Sequence, residues 1–365
     1  MESNLACAAS LLYIQTPREY PVNMRATLRA LLIAASLSLS SLIHAQTGAE
    51  GTLLALSKQD HTLAIVDPST LKVIAKMPVG EDPHEVIAST DGKTAYVSNY
   101  GFGAYHTLAV LDLVAHKALP SIDLGPLRGP HGLTFVGGKT WFTAEGAKVI
   151  GRYDPATKKV DWILGTGQNR THMIYVSPEQ KLIVTTNVNS GTVSIIDQVP
   201  VPRPPAAMAS ESTPRTDWNE TVVKVGNGSE GFDISPDGKE AWVANAQDGT
   251  ISVIDLAAKK VVDTLAADVH GANRLKFTLD GKLVFVSRLD GGEVSVLDAA
   301  TRKVTKRISV GHGGAGILMQ PDGKRAYVAC TPDNYIAVID LASLSVVGHI
   351  ESGPGPDGMA WAANQ

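Results

Sequence analysis

Cysteine is nearly absent: the 365 residues hold two, Cys7 and Cys330. A disulfide framework is thereby excluded as the source of stability, and a large apolar core must supply it, which a chain of this length can build. A dominant charge sign is missing too. Lys and Arg number 32 against 36 Asp and Glu, a formal net charge of −4, so no basic field draws phosphate backbones or anionic lipid in bulk. Long hydrophobic runs are also lacking. The run from Leu31 to Ile43 covers about thirteen residues, short of the roughly 18–20 that span a bilayer as a helix. The chain has no nucleophile-elbow serine motif, phosphate-cradling glycine loop or haem-attachment Cys-x-x-Cys-His, which removes the usual signatures of covalent catalysis and nucleotide chemistry.

That short apolar run has a different use. Arg25 and Arg29 precede it, and a small residue, Ala45, stands just before Gln46, the succession of a secretory signal over residues 24–45 with cleavage after Ala45. Residues 1–23, with Cys7, Pro17 and Pro21 and no clear periodicity, are expected to be an over-called N-terminal extension. Removing residues 1–45 leaves a charge of −5, with Cys330 as the lone cysteine. No cysteine follows the cleavage point to carry a lipid. The mature chain is expected in the periplasm or secreted, without a membrane span and as a monomer.

What the sequence does contain is repetition. An alternating strand ending in aspartate recurs seven times, at Asp67, Asp112, Asp154, Asp197, Asp255, Asp298 and Asp340, spaced by 42 to 58 residues. Leu63-Ala-Ile-Val-Asp67 and Ile336-Ala-Val-Ile-Asp340 are examples. Before each of the last six comes a short apolar strand, a turn such as Ser235-Pro-Asp-Gly238, and a strand such as Ala241-Trp-Val-Ala-Asn245. Asp-Gly between two apolar runs signals a hairpin. Each unit therefore supplies four antiparallel strands, and such sheets bury both faces by stacking around an axis. The reading is an all-β, single seven-bladed β-propeller over residues 46–365. Its ends fit closure: Thr52–Ser57 starts on a second-type strand and Asp357–Trp361 ends on a first-type strand, so N-terminal strands pair with a C-terminal one.

Thr94-Ala-Tyr-Val-Ser-Asn99, Ala241-Trp-Val-Ala-Asn245, Ala326-Tyr-Val-Ala-Cys330 and the Pro-Asp-Gly-Lys turns resemble the YVTN-repeat β-propellers across the whole mature chain. The chain as a whole looks like the periplasmic YncE-like proteins, which implies a binding or scaffold role more than a defined reaction. A second resemblance covers a single blade. Pro130-His131-Gly132, Trp141-Phe-Thr143 and Ile150-Gly-Arg152 resemble one blade of the streptogramin (virginiamycin B) lyases, whose histidine and glutamate lie around a magnesium ion. Where that family continues with glutamate this chain has Ala144, and Glu145 comes one residue later. With a strand period of two, Glu145 is expected to face the opposite side.

One break interrupts the rhythm. From Gln198 to Glu220, Val199-Pro-Val-Pro-Arg-Pro-Pro205 and a Ser/Thr-rich stretch replace a tight turn. Proline density there predicts a solvated loop insertion on the bottom face, with no sheet strand.

Residues heading each first strand converge at the top of the channel: His84, His131, His172, Glu230, Asn273, Ala315 and Asp357. His61, His106, His270 and His312 fall in loops of the same face. The second strands end near this rim with Lys58, Asn99, Ala144, Asn187, Asn245, Arg288 and Cys330. Neutral imidazole suits zinc, copper, iron or nickel, so His84, His131 and His172 are candidate ligands for one divalent metal ion, with Glu230 or Asp357 completing the shell. The alternative is a solvated or ligand-contacting ring with no cofactor. Lys58, Asn99, Asn187, Asn245, Asn273 and Arg288 are candidate ligand-binding residues. Lys58 and Arg288 would either recognise an anionic group or pair with Glu230 or Asp357. Cys330 is a candidate thiolate or a passive substitution for asparagine.

Two functions follow. One is an exported module binding a small ligand or a protein partner through its histidine-rich top face. The other is a metal-dependent lactone hydrolase or lyase, in which Glu145, Glu230 or Asp357 would be the catalytic proton carrier. Single-stranded nucleic acid is a third and weaker partner class, resting on Tyr100, Phe102 and Tyr105 near His106.

Overall fold

Two apolar patterns run through the repeats, and each makes a different strand. Second and third strands, such as Thr94–Asn99 and Thr250–Asp255, are buried almost throughout. Fourth strands, such as Lys72–Pro78 and Lys159–Gly165, alternate between exposed and half-buried residues. The middle of a blade is covered on both faces by its neighbours and so tolerates continuous apolar sequence, whereas the outermost strand covers one face only and keeps the period of two.

The structure is a computed structural model describing residues 51–201 and 216–364. The expected extension over 1–23 and the signal over 24–45 lie outside the described residues. Among the described residues the strands pair into seven four-stranded antiparallel sheets. Blades one to six each use four consecutive strands and begin at Pro83–Ala88, Pro130–Val136, Thr171–Val176, Ser229–Ile234, Ala272–Phe277 and Gly314–Met319. Blade seven is composite: Pro356–Ala363 pairs with Gly51–Ser57, followed by Thr62–Asp67 and Lys72–Pro78. The expected seven-bladed ring and its seam are both present. Among the described residues no helix is long and apolar enough to cross a membrane.

The core lies between blades rather than within them. Leu54, Leu56, Leu63 and Ile65 of blade seven pack with Val86, Val97 and Leu111 of blade one. Trp242, Ile251 and Val253 of blade four do the same with Leu275, Val284 and Val286 of blade five. The repeat aspartates work at the opposite end. Asp67, Asp112, Asp154, Asp255, Asp298 and Asp340 each accept a backbone N–H two or three residues ahead, closing a turn. Asp197 instead meets Lys259 at 2.5 Å.

Blade three corrects one expectation. Its outer hairpin continues into the proline-rich segment, with Thr192–Pro200 paired to Thr216–Lys224 in a register running from Thr192↔Lys224 to Pro200↔Thr216. The register with the second strand ends at Leu182↔Asp197 and the last backbone bond on that side runs from Gln198 N–H to Lys181 O, so beyond Gln198 the third strand has a partner on one side only. A proline there removes no ladder hydrogen bond, which is why proline density did not exclude a strand. Residues 202–215 of the insertion lie outside the described residues.

Candidate functional site

Every inner strand is irregular at the same place. In blade one, Pro83 pairs with Asn99 and Val86 with Val97, so His84 and Glu85 together oppose Ser98. The same extra residue occurs at His131-Gly132, His172-Met173, Glu230-Gly231, Asn273-Arg274, Ala315-Gly316 and Asp357-Gly358. A β-bulge bends its strand and re-aims a side chain. Repeated seven times, it gathers His84, His131, His172, Glu230, Asn273, Ala315 and Asp357 around one cavity of about 340 Å³, which Lys58, Arg170 and Arg274 also line.

The second bulge position decides how closely the blades approach. A Cβ on Gly132 would collide with the carbonyl oxygen of His172, so only glycine fits there. Thr143 completes the contact: its hydroxyl accepts the Gly132 N–H at 2.9 Å and donates to the His172 carbonyl at 2.6 Å. Thr186 on Glu230 and Ser287 on Ala315 repeat the device at 2.9 and 2.6 Å. His131 and His172 are thereby packed ring against ring, centroids 3.8 Å apart. His84 stands edge-on to His131 at 5.0 Å.

Carboxylates surround these rings. Glu145 Oε1 lies 2.5 Å from His172 Nδ1, and Tyr100 donates its hydroxyl to Glu145 Oε2. Glu230 Oε1 lies 3.0 Å from His172 Nε2, but outside hydrogen-bond alignment. Arg170 sits 3.5 Å from Glu145 and 3.4 Å from Glu230. Burial alone would lower the His172 imidazole, yet Glu230 and Glu145 outweigh it and raise it above its ordinary value. His131 has no such partner, and burial, reinforced by His172 and His84, pushes it well below. Burial opposes the ionised form of Glu230, but His172 and Arg170 outweigh it and hold the carboxyl at about 2.

The placement of Glu145 corrects the strand-alternation argument. The second strand of blade two ends at Ala144, and the Glu145 N–H bonds to Gly129 O outside the ladder. Alternation therefore stops one residue too early to govern Glu145, which turns to His172 while Ala144 joins the apolar core.

The expected ligand-binding residues divide. Lys58 and Asn273 line the cavity; Asn99, Asn187, Asn245 and Arg288 do not. The three asparagines are buried and spend their amides on the protein: Asn99 on Val79 O and Glu81 O, Asn187 on Thr192 and Ser194, Asn245 on Thr250 and Ser252. They end second strands, one layer out from the channel, where neighbouring strands supply partners before any ligand could. Arg288 turns to His270 O and Asp290. Lys58 takes the pairing alternative, 3.1 Å from Asp357 and 2.7 Å from His84 Nε2.

Among the described residues, the donor atoms that converge most tightly belong to His131, His172 and Glu145, all within 4.8 Å of one another. This is the group that could hold a metal; His84 of the expected trio is not part of it and lies 2.7 Å from Lys58 Nζ. His106 and His312 pair with Asp123 and Asp333 on the exposed rim instead. Cys330 is fully buried, its thiol pushed up to about 12 by burial, which fits the passive reading. The sequence reading missed Arg170, Arg274 and Glu85, and it grouped Tyr100 with Phe102 and Tyr105 for nucleic acid, whereas Tyr100 is buried against Glu145. Arg274 and Glu85 occupy second bulge positions, and they form a buried ion pair between blades five and one.

Residues 209–320 match the family model of the YNCE-like β-propellers. No curated protein matches the chain. Among solved structures, a functionally unknown protein from Desulfotomaculum acetoxidans is similar at a TM-score of 0.70 and 13% identity, over 87% of this chain and 100% of that one. Hydrazine synthase from Kuenenia stuttgartiensis is similar at 0.66 and 19%, over 80% and 93%. A candidate 6-phosphogluconolactonase from Bacteroides uniformis is similar at 0.67 and 14%, over 86% and 99%. At these identities the likeness is one of fold. The chain is thus a seven-bladed β-propeller, YNCE-like over residues 209–320.

Proposed function

We propose that this chain is an exported binding propeller that captures a small polar ligand in the cavity at the head of its central channel. The observation carrying this reading is the convergence of seven bulged inner strands on one cavity of about 340 Å³, with the Arg274–Glu85 pair crossing the channel one residue deeper. That volume falls within the roughly 300–1,000 Å³ of ligand pockets. It suits a small molecule better than a protein surface. Export rests on the basic, apolar and small residues from Met24 to Ala45.

Thermal-shift screening of small polar metabolites tests the binding. A ligand at a hundredfold excess over its Kd stabilises by about 2.7 kcal/mol, and this gain should disappear in Lys58→Ala and Asn273→Ala. Hits that stabilise both variants as well as the wild type place the ligand elsewhere and sink the reading. N-terminal sequencing of the periplasmic or secreted protein tests export, with Gln46 as the expected first residue.

A second reading, a metal-dependent lactone hydrolase or lyase, is supported by the approach of Glu145 to His172 and of His172 to His131. His172, His131 and Glu145 would hold the metal, which would polarise a carbonyl; Glu230 or Asp357 would carry the proton. Hydrolysis of a lactone panel by the wild type and its absence in Glu230→Gln would favour this reading over simple capture.

A further inference from the structure

We propose that His131, His172 and Glu145 form a binding site for one divalent ion of the zinc class, set in the wall of the cavity. The proposal rests on the reading of that cavity as the binding site and gives it a chemical character.

Geometry comes first. The three donor atoms lie within 4.8 Å of one another and all three residues are buried. A zinc-class ion with ligand bonds of about 2.0–2.2 Å keeps its donors about 3–4 Å apart, so the set closes when the side chains adjust and the 2.5 Å contact between His172 Nδ1 and Glu145 Oε1 opens to admit the ion. The His131 and His172 backbones are already held by Gly132 and Thr143.

An orphaned atom comes second. His131 is 2% exposed, and its Nδ1 is buried without any hydrogen-bond partner. Buried polar atoms in folded proteins nearly always have partners. A ligated ion gives this nitrogen one.

Charge comes third. In and around the cavity Asp82, Glu85, Glu145, Glu230 and Asp357 face three fixed cations, Lys58, Arg170 and Arg274, and the rings of His84 and His172. With the imidazoles neutral, as metal ligation requires, five carboxylates against three fixed cations leave two negative charges uncompensated. One divalent ion balances them. An anionic ligand would deepen the imbalance, because each cation already faces a carboxylate. Two imidazoles and one carboxylate favour zinc, cobalt or nickel over magnesium or calcium.

The test uses the mature chain purified without an affinity tag and stripped of metal. Zn²⁺ binding is followed by titration calorimetry and Co²⁺ binding by its visible d–d absorption, for the wild type, His131→Ala, Glu145→Gln and the rim control His312→Ala. The expected result is one equivalent bound by the wild type and His312→Ala, and at least tenfold weaker binding in the other two. Equal affinity in all four proteins, or none in the wild type, overturns the site. Should His131→Ala or Glu145→Gln fail to fold, the wild type decides alone: paramagnetically shifted imidazole signals from two histidines in its Co²⁺ form support the trio, and their absence refutes it. A chain that binds no metal but still shows Asn273→Ala-sensitive ligand stabilisation loses the metal site and keeps the pocket. The reverse outcome keeps the metal and removes the pocket reading.

Discussion

Arg274 of blade five reaches Glu85 of blade one across the central channel, where Arg274 is buried and the Glu85 side chain is 12% exposed. No neighbouring blade could supply this contact, so it ties the ring across its diameter. Removing one partner of a buried pair strands the other charge, at a cost of about 3–5 kcal/mol. Arg274→Met should therefore lower the urea midpoint strongly, and adding Glu85→Leu should recover much of the loss. A single variant as stable as the wild type would show that the pair carries no such role.

Thr143 holds two strands with one hydroxyl. Thr143→Val keeps the shape and leaves the buried Gly132 N–H without its acceptor, a cost of about 1–3 kcal/mol. Denaturant unfolding should show that loss. The conservative Thr143→Ser, which keeps the hydroxyl, should recover most of it.

The seam has an acid-sensitive clasp. Burial raises the Asp82 carboxyl, but His84 and Lys58 outweigh it and hold it at about 2, below the ordinary 3.8. A carboxylate with a depressed folded value contributes stability that is complete above the unfolded value and is lost as pH falls toward about 2. Thermal midpoints measured from neutral to acid pH should fall less steeply in Asp82→Asn than in the wild type. Parallel curves would assign the acid sensitivity to other groups.

Cys330 should be chemically silent in the folded protein. Its thiol is raised to about 12 from an ordinary 9.0 by burial, and a raised thiol costs stability only as pH climbs between those values. Ellman's reagent at neutral pH should label it after denaturation and not before. Rapid labelling of the native chain would reopen a reactive role.

Pro200 and Thr216 are a paired register position, so the hairpin of blade three can be closed directly behind them. Replacing residues 201–215 with Asn-Gly, the favoured two-residue turn, should leave the thermal midpoint and any ligand or metal affinity unchanged. A change in either affinity would give the insertion a role at the top face.

The sequence by itself determined the blades, because hydrophobic periodicity, Asp-Gly turns and the closing aspartates act over a few residues and recur seven times. It also determined that His131, His172, Glu230 and Asp357 share a rim, since each opens an inner strand. Tertiary structure decided which of them meet. Strand alternation cannot register a bulge, which sends Arg274 across to Glu85, nor a strand that stops one residue before Glu145. The end-of-strand asparagines looked equally exposed to ligand on the sequence, and hydroxyls or carbonyls from neighbouring strands took their amides. A side chain's direction at the end of a strand depends on partners far away in the chain, and only the closed ring brings those partners within reach.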